Sequence, residues 1–536
     1  MARTLRTALC LALFTNSLAC DEAGDEGGVG GAGGKGDDLT DSGICAGKVL
    51  DKSVGDDGEE EADLSELGDV FARLVLNAEG DADTCPTTYG EIMAKLREVD
   101  TEGCEGPTDG IRSAVVSETA QVMGKADSYR VVTTRECGGR SAFELLFSTF
   151  GVTSTQKTLS GNVEVIAFDS TKKLFNYYEV VDGQISHFGD STQYMTAAGD
   201  AARCNGCHPN GMLNMKELAS PWTHWEGDTT TPGADVLVDK HEDLGTKTDG
   251  IELEGIVDSG NAAIMDVRAR TLLATNDLKQ VLRPLFCTVQ VNLENGASSP
   301  NSTPSAVPGS ALVDPRLTFG SVSVSKATYD ATLKAAKQKV VGNGGVQLKT
   351  KAGKGVVDTH FPFIFPVVSR EDQNYIDKLI ELKVIDEDFK QDVLAIDMTR
   401  PLFSDARCKL LDAAPSLGKL TTSTGKAIKS LPKKIRDGFV AKLKTAAAGT
   451  PEAELAGFLG NTTDQTAHAD AATAFFTACA ARPEAEFFTD ANKAVSLLRN
   501  QARELQVMEF PATMPVDSLD VPTSARLNPT TCVLEP

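Results

Sequence analysis

Cys204-Asn205-Gly206-Cys207-His208 places two thiols and an imidazole within five consecutive residues. Thiols at this spacing can each form a thioether to a vinyl group of one porphyrin. The imidazole beside the second thiol then lies under the iron as an axial ligand. With 12 cysteines and 6 histidines in 536 residues, chance supplies the pattern roughly 0.003 times. Other chemistries also use a Cys-x-x-Cys pair. A zinc ribbon needs a second close pair of cysteines, and the sequence has none. A thioredoxin-like redox pair sits in a βαβ context without a histidine directly after it. A structural disulfide between Cys204 and Cys207 stays open as the plainest alternative.

The motif resembles that of the c-type cytochromes, and the resemblance is confined to the motif and its surroundings. It implies one covalent haem c per chain, held by Cys204 and Cys207, with His208 as proximal iron ligand. A ligand for the far side must come from elsewhere. Met212 and Met215 follow His208 by four and seven residues. On a continuous helix they would share its face and could not reach across. Pro209 and Gly211 argue against that helix. His224 stands between Trp222 and Trp225, the only tryptophans, and is the distal candidate. Met195, His187, His241 and Met265 are further possibilities, as is an open site. The tryptophans could wall a haem pocket or simply pack in a core.

The elements before the motif must position it. Leu67, Val70, Phe71, Leu74 and Val75 recur at helical spacing, as do Ile92, Leu96 and Val99. A third helix is expected over Ile111–Met123. The period then changes to that of strands at Tyr129–Thr134, Phe143–Phe147, Val163–Phe168, Leu174–Val181 and Gln184–Phe188. Asp169-Ser170-Thr171-Lys172 and Val181-Asp182-Gly183 supply turns. The expected architecture is α+β: N-terminal helices and an antiparallel sheet form a haem domain, followed by a mostly helical C-terminal domain. A sheet leading into Cys-x-x-Cys-His resembles the β-type haem proteins of the cytochrome c′-β kind. That resemblance implies a haem lying against a sheet face. After the motif, helical character is expected over Met212–Leu218, ended by Pro221.

The chain begins as an exported protein does. Arg3 and Arg6 precede an apolar stretch at Ala8–Phe14 that is too short to span a bilayer. Ser17-Leu18-Ala19-Cys20 resembles the lipobox of bacterial lipoproteins, with Ser17 where the pattern has an aliphatic residue. The resemblance implies cleavage before Cys20 and acylation on it, hence a lipid anchor in a bacterial membrane. Small residues at 17 and 19 also suit ordinary signal peptidase. The next segment, 20–63, is acidic and rich in glycine, the composition of a tether. Loss of Arg3 and Arg6 takes the formal charge from −24 to −26. Such acidity argues against nucleic acid or an anionic membrane surface as a partner, and fits a basic redox partner protein, cations or simple solubility. Cys45, Cys85, Cys104, Cys137, Cys287, Cys408, Cys479 and Cys532 remain after the signal, lipid and haem cysteines are set aside, an even number for an oxidising compartment. Cys85 with Cys104 is the most local pairing.

The domain boundaries expected are a signal at 1–19, a tether at 20–63, a haem domain at 64–293, a Ser/Pro-rich linker at 294–315 and a helical domain at 316–536. In the second of the folded parts, helical spacing is clear at Tyr375–Leu382, Phe389–Ile396, Phe439–Leu443 and Leu497–Val507. Asn261–Ile264 is expected to open a helix that Pro284–Cys287 breaks. Arg283-Pro284-Leu285-Phe286-Cys287 is echoed by Arg400-Pro401-Leu402-Phe403 with Cys408, which suggests a duplicated helical unit. No nucleophile elbow, P-loop or zinc-protease helix motif occurs. The leading expectation is electron transfer outside the cytoplasm. A haem-based sensor or peroxidase-like enzyme with an open distal site, and a surface lipoprotein with a structural haem, are the alternatives.

Overall fold

The structure is a computed structural model. It describes residues 49–53, 61–76, 86–98, 110–117, 129–136, 143–152, 159, 162–195, 208–213, 244, 246–248, 250–295, 305–336, 339–340, 347–349, 355–357, 364–460, 466–504, 515–516 and 521–536. The chain divides into two compact units. Unit 1 takes residues 1–118, 125–214 and 236–248, and unit 2 takes 119–124, 215–235 and 249–536. Among the described residues no helix is long and apolar enough to cross a membrane.

Unit 1 is built on a sheet with two helices. The strands are β1 (Val49–Asp51), β2 (Glu61–Ala62), β3 (Ile111–Ser117), β4 (Tyr129–Glu136), β5 (Phe143–Val152), β6 (Val163–Asp169), β7 (Leu174–Val181), β8 (Gln184–Asp190) and β9 (Thr246–Lys247). Their order across the sheet is β2-β1-β8-β7-β6-β5-β4-β3-β9. Strands β3 to β8 form an antiparallel meander, while β1 joins β8 and β9 joins β3 in parallel. All five strands expected from the period-2 pattern are present.

Local chemistry sets the turns. Asp169 Oδ1 accepts from the backbone of Thr171 (2.9 Å) and Lys172 (2.8 Å), bending the chain between β6 and β7. Between β7 and β8, Asp182 and Gly183 both take positive φ (50° and 81°). That pair of conformations matches the twist of a two-residue hairpin.

Helix expected over Ile111–Met123 is not found: Ile111–Ser117 is strand β3, in unbroken register with β4 from Ile111↔Arg135 to Ser117↔Tyr129. The β-branched pair Val115-Val116 favours a pleated strand, and a whole ladder of backbone bonds outweighs the short helical pattern. The remainder of that stretch lies outside the described residues.

Helices α1 (Val70–Leu76) and α2 (Tyr89–Glu98) cover one face of the sheet. Phe71, Tyr89, Ile92 and Met93 pack with Val131, Phe147, Val165, Tyr178 and Ile185, all fully or nearly buried. Each such large apolar side chain contributes about 1.5–3 kcal/mol on burial. Asp69, fully buried, accepts from Ala72 N (2.8 Å), Asn176 Nδ2 (2.7 Å) and Tyr178 Oη (2.6 Å), so α1 is pinned to β7 by a satisfied carboxylate.

Unit 2 is mostly helical, with short strand pairs. Helices α3 (Gly250–Ala263), α4 (Met265–Ala274) and α5 (Leu278–Phe286) belong to it. The chain thus divides near 248–249, whereas composition had pointed to 294–315. Part of that stretch is built into the unit: Val307, Ala311, Leu312 and Val313 are buried, and Ala306–Pro308 pairs with Ser321–Ser323. Asn261 lies near the end of α3 rather than opening a helix.

Helices α6 (Lys326–Ala336), α7 (Arg370–Glu381), α8 (Glu387–Ala395), α9 (Asp405–Leu410), α10 (Leu431–Leu443), α11 (Pro451–Gly460), α12 (Thr466–Ala480) and α13 (Glu484–Glu504) follow. Ser369, Asp386 and Ser404 cap the starts of α7, α8 and α9 with side-chain oxygens. Disulfides Cys287–Cys408 and Cys479–Cys532 close loops of 121 and 53 residues. The echoed segments are not equivalent: Arg283–Phe286 is helical, Pro401–Phe403 is not, and Phe403 takes φ 51°. The two are joined instead, through Cys287–Cys408 and a bond from Phe403 N to Thr288 Oγ1 (3.3 Å).

Candidate functional site

His208 is the described member of the Cys-x-x-Cys-His motif, and it lies in unit 1. The motif's Cys204 and Cys207 fall outside the described residues, as do Cys20, His224, His241, Met215, Trp222 and Trp225. So do Cys45, Cys85, Cys104 and Cys137, and with them the local pairing expected of Cys85 and Cys104.

The backbone at His208 is a tight turn, not a continuing α-helix. His208 has φ −118° and ψ 60°, Pro209–Gly211 forms a single 3-10 turn, and Met212 is extended (φ −91°, ψ 163°). Two consecutive residues of positive φ, Asn210 (60°) and Gly211 (69°), reverse the chain. Only glycine fits at 211. A Cβ there would stand 2.3 Å from the Ser191 carbonyl oxygen, so the turn rests directly on the short 3-10 helix Ser191–Tyr194.

This turn brings the Met212 carbonyl back to the imidazole. His208 Nδ1 lies 3.1 Å from Met212 O. A carbonyl only accepts, so Nδ1 carries the proton and donates. In the neutral ring Nε2 is then the acceptor nitrogen, the one that a metal takes. Metal-ligating histidines are commonly oriented by such a bond from the other ring nitrogen. The sequence expected Met212 to be considered as a side chain on the proximal side. Its side chain is wholly buried, and its carbonyl is what the ring engages.

The ring lies beside aromatic residues that the sequence reading did not single out. Tyr177 of β7 has its centroid 5.5 Å from His208 and 5.0 Å from Tyr194, the latter edge-on. Tyr177 alternates with Tyr178, which faces α1 and contacts Phe71 at 4.9 Å. The His208 turn therefore sits on the face of the sheet opposite α1 and α2. Ile166 pairs with Tyr177 and Phe168 with Phe175 on that second face. All four are buried. The signal was present in the sequence: β7 is apolar or aromatic on both of its sides, as a strand covered on both faces must be.

The same alternation places His187. It pairs with Tyr178 in the ladder and lies tilted against its ring at 5.1 Å, on the α1 side of the sheet. It stands across the sheet from His208, on the opposite face. Burial pushes its pKa down, against the pull of Asp51, Asp69 and Asp190. Met195 is buried at the end of the Ser191–Tyr194 turn, and Met265 belongs to unit 2. Among the described residues no group of three or more His, Cys, Asp or Glu side chains is placed to hold a metal ion. The chain matches no protein-family model, no curated protein and no solved structure.

Proposed function

We propose that the chain is a mono-haem, c-type cytochrome-like lipoprotein that transfers electrons outside the cytoplasm. The Cys204-x-x-Cys207-His208 motif carries the reading. The described residues fit the group: the 3.1 Å contact between His208 Nδ1 and Met212 O orients the ring as metal-ligating histidines commonly are. Cys204 and Cys207 would hold the porphyrin by thioethers, and the haem would supply a reversible one-electron change. Tyr177, Tyr194 and the buried sheet face beneath them exclude water from one side of the imidazole. Exclusion of water disfavours the more charged oxidation state and so raises the reduction potential. His224 is the proposed distal ligand. Acylation of Cys20 would hold the protein on a bacterial membrane, with the acidic, glycine-rich segment ahead of β1 as its tether, since Val49–Asp51 and Glu61–Ala62 of the expected 20–63 tether are strands of the sheet.

The test is an optical spectrum of the mature protein, oxidised and reduced, from a host that matures c-type haem. The expected result is one covalent haem per chain with sharp low-spin bands, lost in a Cys204→Ser, Cys207→Ser double variant. His224→Ala should convert the spectrum to a high-spin form that shifts with carbon monoxide. A colourless protein overturns the proposal and leaves Cys204–Cys207 as a disulfide. A high-spin wild-type spectrum removes His224 from the scheme and moves the function to a ligand-binding sensor or peroxidase-like enzyme.

A further inference from the structure

Unit 2 buries a cluster of arginines around a small cavity. The cavity lies where the end of α5, the start of α7 and α9 meet, and it has room for about one water-sized particle. Arg316, Arg407, Asp372, Thr288 and Cys287 are among its lining residues. The donors in this cluster are not all met. Arg316 is held by Asp314 through two bonds, Nε to Oδ1 (2.9 Å) and Nη2 to Oδ2 (2.7 Å). Asp372 is held by Arg268 at 2.9 Å, with Arg268 also stacked over Tyr375 at 4.5 Å. Arg407 remains. It is 3 % exposed and donates from Nη2 to the Pro401 carbonyl (2.7 Å), but it has no carboxylate partner among the described residues. Its Nε and Nη1, and Nη1 of Arg316, have no hydrogen-bond partner among the described residues either.

A guanidinium does not give up its proton at ordinary pH, so its unmet donors cannot be removed by titration. Burying a charged donor without its hydrogen-bond partner is strongly unfavourable. Burial depresses the Arg407 pKa, against the pull of Asp314 and Asp397, and the neighbouring Arg316 and Arg400 add to the depression. The geometry offers the remedy: two guanidinium groups with unspent donors line one enclosed space of single-particle size.

We propose that this cavity binds one monatomic anion, chloride under physiological conditions, held by Arg407 and Arg316. The site is independent of the haem. Its role is to satisfy those donors where α5 and α9 are joined by Cys287–Cys408.

The test uses the full mature chain. Crystals grown in sodium bromide are measured at the bromine absorption edge. The thermal unfolding midpoint is measured in chloride and in gluconate at matched ionic strength. The expected results are an anomalous peak at hydrogen-bond distance from Arg407 and Arg316, and a midpoint that rises saturably with chloride by a few degrees. The saturable rise should vanish in Arg407→Met. Equal midpoints in the two salts, or an ordered water without anomalous signal, overturn the proposal. So does a bromide peak without the saturable rise, which is an adventitious ion only. If Arg407→Met does not fold, the wild-type bromide and chloride measurements decide by themselves.

Discussion

At the scale of single residues, the His208 turn depends on a glycine. Gly211→Ala combines a positive φ of 69° with a clash against the Ser191 backbone. We expect a loss of about 1–3 kcal/mol of stability, read by chemical denaturation, since backbone on both sides must move. Asp69 makes a sharper case. Asp69→Ala would leave the buried Tyr178 hydroxyl and Asn176 amide without their acceptor. The expected cost is about 3 kcal/mol or more. Burial first, and then the Asp69 carboxylate, hold the Tyr178 pKa well above its ordinary value. His187 gives unit 1 a pH dependence. Its folded pKa lies below the ordinary 6.5 because burial disfavours the charged ring. The unfolded chain therefore binds the proton more readily, and stability is lost as the pH falls from about 6.5 through the lower folded value. Denaturation midpoints measured between about pH 5 and 7 should rise with pH, and His187→Asn should flatten that slope.

At the scale of elements, the strands β4 to β8 were legible from short runs of β-branched and aromatic residues, with recognisable turn chemistry between β6 and β7 and between β7 and β8. Ile111–Ser117 misled because its apolar residues, Ile111, Ala114 and Val115, also fall at helical spacing: the ladder with β4 decides it, and a ladder cannot be read from one segment. The helices of unit 2 were legible from spacing, but their grouping was not. Whether α3 to α5 pack with the sheet or with α7 depends on contacts such as Arg268 to Asp372, which are separated by 104 residues. The repeated Arg-Pro-Leu-Phe segments show the same limit, since like sequences adopted unlike backbones and were joined by a bond. That bond has a measurable weight. Closing a loop of 121 residues is worth about 4–5 kcal/mol in the chain-entropy account, and one of 53 residues slightly less. A Cys287→Ser, Cys408→Ser variant should lower the unfolding midpoint of unit 2 more than Cys479→Ser, Cys532→Ser does.

At the scale of the whole molecule, charge is unevenly spread. The chain carries −24, yet residues 413–450 hold eight Lys and Arg against the single acid Asp437. Lys419, Lys426, Lys429, Lys434 and Lys444 of this stretch are exposed. A basic redox partner would be steered to acidic surface elsewhere and repelled from this segment. Stopped-flow association with a basic redox protein should slow as ionic strength rises past about 0.1 M, where screening shortens to about 10 Å. Reversal of charge by Lys434→Glu and Lys444→Glu should speed that association at low salt. Of the proposed site, the Cys204-x-x-Cys207-His208 motif is plain in the sequence and the surroundings of His208 are not. Tyr177 and Tyr194 neighbour His208 only because of sheet alternation and a turn held by Gly211.

The place where the chain enters the sheet has a mechanical consequence. Strand β1 is bound to β8 through the register pairs Leu50↔Ser186 and Asp51↔His187, and to β2 through Val49↔Ala62 and Leu50↔Glu61. Tension that arrives along the chain at Val49 is borne by these pairs. Two register pairs on each side give way far sooner than the seven that join β6 to β7. A pull on the amino-terminal end would peel β1 and β2 away and leave the meander standing. The edge of the sheet thus acts as a fuse between whatever holds the amino terminus and the strands that support His208.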